Sequence, residues 1–299
     1  MGTSNTAPRG EGAQAPGSAV RLVSFVRPNG ADACVGLLSA DGSRVADLTA
    51  IGLEDIYAAL PRFSQLGRLS THLTQAPGAV AYPVGSVRLL APVPYARFVR
   101  EGRLVATRGI DAAEATPPGE LPQYGASSAA ERENLVFADP AEIAGPGAHI
   151  TCGPDDILGF GVVAVLRMGG RDLNEREAAG HIGGITLFAE WHDPLTGVHR
   201  PDAMVMGPSL TAPELFAEAD DVVLIPPDGG VRHAGVAGAL TALARLIALA
   251  SMRYTLRAGD LFVYDAGASE VAIAPGTHAE LVVESPWAGA LAHTAHRSD

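Results

Sequence analysis

The chain has 299 residues, enough for one large domain or two modest ones and ample length to bury a core. All 21 of its basic residues are arginine, which excludes Schiff-base chemistry, a lysine nucleophile or base and a P-loop lysine, because arginine does not deprotonate in the accessible pH range. A formal charge of −12 argues against nucleic acid or an anionic membrane surface as partner.

Residues 1–19 are rich in Gly, Ala, Pro, Ser and Thr and read as a disordered tail, not as a signal peptide or anchor. Strands are expected over 20–26, 34–38 and 44–48, separated by turns at Pro28-Asn29-Gly30 and Asp41-Gly42. Helices are expected over 53–60 and 62–74, then a strand over 87–90. Residues 96–133 show no clear period and read as a lid or linker. Beyond them the chain is rich in strand signals, over 162–168, 184–188, 222–225, 261–264, 271–274 and 279–284. Asn174 with Glu177 three residues later predicts a capped helix start. Residues 236–251 form a helix with apolar Leu240, Leu243, Ala244 and Ile247, too short and too interrupted by Arg245 to span a bilayer. The two cysteines, Cys34 and Cys152, are too few for a disulfide framework, in keeping with a reducing cytoplasm. The expected class is α+β, mainly β.

Four groups of residues bear on chemistry. Gly159-Phe160-Gly161-Val162-Val163-Ala164 spells G-x-G-x-x-A, but Val165 to Met168 continue a strand where a dinucleotide site needs a helix, so the glycines are read as part of that strand. Glu190-Trp191-His192-Asp193 ends an apolar strand, and alternation puts Glu190 and His192 on one face, where they suit acid–base work. His199-Arg200-Pro201-Asp202 is a mixed-charge segment in which Arg200 suits a carboxylate. Cys152 with His149 is the weakest pair, since buried cysteines are ordinarily inert. No G-x-S-x-G elbow and no zinc-ligand spacing is present.

The order of segments resembles the fumarylacetoacetate hydrolase (FAH) superfamily. The stretch from Val20-Arg21-Leu22-Val23-Ser24-Phe25 to Val45-Ala46-Asp47-Leu48-Thr49 looks like its small N-terminal α/β domain (20–95), and Val87-Arg88-Leu89-Leu90-Ala91-Pro92-Val93-Pro94 like that domain's exit. Phe137-Ala138-Asp139-Pro140-Ala141-Glu142-Ile143-Ala144-Gly145-Pro146-Gly147 is similar to the opening of its C-terminal domain (134–299), and Arg257-Ala258-Gly259-Asp260-Leu261-Phe262 to its "RPGD" strand. The resemblance implies a mixed β-roll, a homodimer, a divalent metal, and 2-oxo acids or 1,3-dicarbonyl compounds as substrates.

The family's functional positions are not kept. Its E-x-E metal carboxylates fall on Gly161-Val162-Val163, its third carboxylate on Glu190, its lysine near 198–202, where none stands, and its threonine on Ala266. The lid histidine is missing too, with no histidine between His72 and His149. The resemblance therefore implies a divergent enzyme with no metal or other cofactor, Glu190 being the one ligand left should Mg²⁺ bind. Its substrate is expected to be an enolisable small molecule of bacterial specialised metabolism. Glu190, His192 and Tyr264 are the expected catalytic residues, and Arg167, His199, Arg200, Asp202 and Asp265 the substrate-binding ones. The alternatives are a non-catalytic binding protein of the same fold and a metal-dependent hydrolase or decarboxylase.

Overall fold

The computed structural model describes residues 20–75, 80–94, 103–107, 134–138, 143–193, 199–216 and 220–298. The first apolar runs close as a meander of β1 (Arg21–Val26), β2 (Ala33–Leu38) and β3 (Arg44–Asp47), antiparallel with Leu22 opposite Leu37 and Leu37 opposite Ala46. Turn residues at 28–30 and 41–42 leave each strand too short to do anything but fold back on its neighbour. The next stretch is helical but split: α1 (Ile56–Ala59) passes through a 3₁₀ turn (Leu60–Arg62) into α2 (Phe63–Gln75), because Pro61 interrupts a continuous helix. Short strands β4 (Ala81–Pro83) and β5 (Arg88–Leu89) add to the edge of β3 and to β1.

A separate ribbon pairs β6 (Arg103–Thr107) with β7 (Asn134–Ala138). The rest of the expected lid, 96–133, lies outside the described residues. Then come β8 (Ile143–Ala144), β9 (His149–Cys152), β10 (Ile157–Leu166), α3 (Glu175–His181), β11 (Ile182–His192), β12 (His199–Thr211), β13 (Asp221–Ile225) and β14 (Arg232–Gly235). The chain continues through α4 (Ala239–Arg253), β15 (Leu261–Ser269), β16 (His278–Ser285) and β17 (Gly289–Arg297).

Two main sheets result. The larger runs β15-β10-β11-β12-β1-β2-β3-β4, with β5 and β8 off that path, so the N-terminal meander extends the C-terminal sheet through the pairing of Arg21 with Thr211. The smaller runs β14-β13-β16-β17-β9. Between them lies a core of Leu158, Phe160 and Val162 from β10, Leu187, Ala189 and Trp191 from β11, and Leu281, Val283, Leu291 and Ala295 from β16 and β17. The opposite face of β10–β12 and β15 packs Val163, Val165, Phe188, Met204, Met206 and Val263 against Leu22, Leu37, Leu60 and Phe63 of the N-terminal segment. With both faces covered, β11 is buried at every residue and shows no polar–apolar alternation to read.

The capped start of α3 forms as expected: Glu177 N–H donates to Asn174 Oδ1, and the Asn174 N–H donates to the Glu177 carboxylate, each at 3.0 Å. Three expectations need correction. The strand expected over 162–168 runs instead from Ile157 to Leu166 as β10; the glycines of the G-x-G lie within it and no helix follows them, as their sequence context indicates. Residues 271–274 are not a strand: Val271 and Ile273 bury their side chains with no ladder partner, and Pro275 ends the segment. Finally, β9, β12 and β17 are strands not among those expected. β12 is interrupted by Pro201, Gly207 and Pro208, and it is held by β11 and β1 on its two sides, not by its own composition. Among the described residues no helix is long and apolar enough to cross a membrane.

Candidate active site

Glu190 and His192 are buried, at 4% and 7% exposure, near the C-terminal end of β11. The register places Glu190 opposite Gly159 and His192 opposite Ile157, and alternation sends both side chains to the Phe188 face of the sheet. On that face β10 offers no side chain at two successive positions. A Cβ on Gly159 would lie 3.2 Å from His192 Cε1, 3.6 Å from His192 Nδ1 and 3.6 Å from Asp265 Oδ2. The imidazole and the Asp265 carboxylate therefore converge on the space above Gly159, beside Glu190. All three are engaged by further interactions.

Gly161 is a different case. A Cβ there would sit 2.3 Å from the Tyr264 carbonyl oxygen, 2.7 Å from the Ala266 nitrogen and 3.1 Å from a Phe188 ring carbon. The cause is a register shift: Gly161 pairs with Asp265 and Phe160 with Gly267, leaving Ala266 bulged so that β15 leans over β10. Gly161→Ala is expected to destabilise the fold by about 1–3 kcal/mol, since backbone cannot yield as a rotamer does. Chemical denaturation measures this, and an unchanged midpoint would show that the bulge is free to move.

The register of β15 on β10 decides which β15 side chains reach the site. Tyr264, opposite Val162, packs with Ala266 against the core between the sheets, on the far side from Glu190. Asp265 takes the place expected for Tyr264. Arg167 is exposed at the other end of β10, its Nε donating to the Gly180 carbonyl at 2.9 Å. At 3.3 Å per residue that is about 26 Å along the strand from Gly159, so Arg167 holds no substrate beside Glu190. His199 pairs with His192 across β11 and β12, so the segment with Arg200 and Asp202 enters β12 next to the site; the side chains of 199–203 lie outside the described residues. The Cys152 and His149 pair does not form, for Cys152 turns into the core of β9 and His149 out of it.

The same register revises the frame for metal carboxylates. Val163 sits opposite Thr186, four residues and about 13 Å along β10 from the partner of Glu190, and is packed in the apolar cluster. The positions adjoining Glu190 are Gly159 and Gly161, where a carboxylate would displace His192 or strike the β15 backbone. Among the described residues no three His, Cys, Asp or Glu side chains are placed to hold a cation. The donors present do not fit the three-carboxylate divalent site that the resemblance implies.

No family model matches the chain, and no curated protein matches it. Solved structures do. Maleylpyruvate hydrolase from Sphingobium sp. SYK-6 is 16% identical with a TM-score of 0.66, over 93% of this chain and 100% of that one. The same enzyme in complex with manganese(II) and pyruvate gives 17% and 0.65 over the same shares. Fumarylacetoacetate hydrolase from the psychrophilic Exiguobacterium antarcticum is 17% identical with a TM-score of 0.64, over 93% and 100%. 2-Hydroxyhepta-2,4-diene-1,7-dioate isomerase from Mycobacterium marinum is 16% identical at 0.61, over 93% and 99%. At these identities the likeness is one of architecture: the chain has the fold of the fumarylacetoacetate hydrolase superfamily.

Proposed function

We propose that this chain is an enzyme moving a proton at an enolisable 2-oxo or 1,3-dicarbonyl small molecule, without a resident divalent cation. The observation that carries the proposal is the convergence of His192 and Asp265 on the space above Gly159, next to Glu190. The Glu190 carboxylate takes a C–H proton α to the carbonyl, and His192 donates a hydrogen bond to the oxygen on which charge develops. Return of the proton to another carbon completes a tautomerisation that needs no co-reactant. Asp265 supplies negative charge beside the imidazole and favours the tautomer that donates toward the substrate. Arg200, near the start of β12, is the residue suited by its guanidinium to a substrate carboxylate. Structural neighbours bearing the names of a maleylpyruvate hydrolase and a dienedioate isomerase support carbonyl chemistry of this kind.

The direct test is loss of α-proton signal from simple 2-oxo acids and 1,3-diketones in D₂O, followed by NMR with excess EDTA. Exchange that persists in chelator supports the reading. Exchange appearing only with added Mg²⁺ or Mn²⁺ would replace it with the metal-dependent alternative. The burial of Glu190 and His192 favours a second reading, a closed non-catalytic binding module. Saturable binding of the same compounds without any exchange would select it.

A further inference from the structure

A pair of histidines stands in the smaller sheet, away from Glu190. His278 of β16 and His296 of β17 are directly paired across the strands, their ring centres 4.6 Å apart and their planes tilted by 37°. They belong to the outer face of the smaller sheet: their neighbours in sequence parity are Glu280 and Thr294, while Leu281, Val283, Leu291 and Ala295 turn inward to the core. Glu190 is on the outer face of the larger sheet, so both sheets and the core between them separate the two places.

The separation of the two rings is informative. Imidazole nitrogens bind zinc at about 2.0–2.1 Å, and neighbouring ligands on one ion subtend about 90–110°. Adding roughly 1.1 Å from each nitrogen to its ring centre puts the centres of such a pair about 4.5–5.2 Å apart. The His278–His296 spacing falls in that interval. The framework is rigid, because β17 is hydrogen-bonded to β16 along its length and to β9 on its other side, with His296 opposite Thr151. His149, one row away opposite Thr294, and Glu280, opposite Thr294 from the other strand, stand diagonal to His296. Neither closes a three-ligand set with the pair as it stands.

We infer that His278 and His296 form a two-imidazole site for a borderline transition-metal ion, Cu²⁺ or Ni²⁺ ahead of Zn²⁺, with water completing the shell. Imidazole donors select these ions over Mg²⁺ or Ca²⁺, and two rings on adjacent strands lose little freedom on binding. The site is independent of any catalysis at Glu190.

The test is Cu²⁺ titration of the full chain at pH 7.5, read by calorimetry and by EPR. One equivalent of Cu²⁺ bound through two nitrogens is expected, with affinity falling about tenfold or more in His278→Asn and in His296→Asn. His192→Asn, at the proposed active site, should leave it unchanged. Equal binding by the His278→Asn/His296→Asn double variant would overturn the assignment, as would no binding to the parent chain. Both positions are on the outer face of a sheet, so the variants are expected to fold, and unchanged thermal melting confirms it.

Discussion

Replacing Glu190 by glutamine is expected to remove nearly all proton transfer, by about 10²–10⁴-fold, while leaving the fold intact. The substitution keeps the size of a side chain that is 4% exposed and removes only its capacity to accept a proton. His192→Ala is expected to act in the same direction. It additionally opens a space beside Gly159, so its thermal stability should fall where that of Glu190→Gln does not. If Glu190 takes the proton and His192 polarises the oxygen, the two losses are not additive, because each group acts on the same transition state. The decisive measurement is the exchange rate in D₂O for both single variants and the double. Parent-like rates in Glu190→Gln and His192→Ala would remove the acid–base assignment whatever the substrate proves to be. Asp265→Asn separates positioning from structure: a positioning role shifts the pH profile of the exchange rate, whereas a structural one lowers stability alone.

The second large effect concerns pH and lies away from the site. His293 of β17 is 1% exposed, and neither ring nitrogen has a hydrogen-bond partner among the described residues. Burial pushes its pKa down from 6.5 to about 4. The folded state therefore binds its proton more weakly than the unfolded chain does. The stability associated with the neutral ring is fully present above pH 6.5 and is lost as pH falls from there toward 4. A depression of that size corresponds to about 3 kcal/mol across the window. His293→Leu should flatten this part of the stability profile. It should also leave neutral-pH stability equal or higher, since it takes two unpartnered polar atoms out of the core. Urea midpoints of parent and variant between pH 7.5 and 4.5 make the comparison, with other titrating groups common to both. Parallel curves would show that His293 is solvated in solution.

Legibility in the sequence depends on the range of each interaction. The meander β1–β3, the capping box at Asn174 and the buried helix α4 were readable because turns, caps and helical periods act within a few residues. Glu190 and His192 could be assigned to one face from strand alternation alone, and the structure keeps them together. Glycines at 159 and 161 stood out as composition, but their purpose did not, since it lies in what approaches them. Two of the nominated residues separate from the others for the same reason. Arg167 is close in sequence to the glycines but lies at the other end of an extended strand, and the pairing of β15 with β10 turns Tyr264 to the core between the sheets and Asp265 to the Glu190 face.

The amino-acid sequence by itself determined that this is a mainly β chain without lysine chemistry, with a segment order resembling that of a known superfamily and with Glu190 and His192 on a shared face. The absence of lysine is a fact of composition and needed no fold to be read. Only the tertiary structure decided which groups meet. Pairing of β10 with β11 and β15 sets the register, and a shift of one residue in β15 exchanges the side chains on its two faces. Pairing with Gly161 puts Asp265 on the face of Val263, beside the space above Gly159, and the bulge after it presses the β15 backbone onto Gly161. Register is a property of strands far apart in sequence, settled by cores packed on both faces of the sheet, so no local pattern in any one strand encodes it.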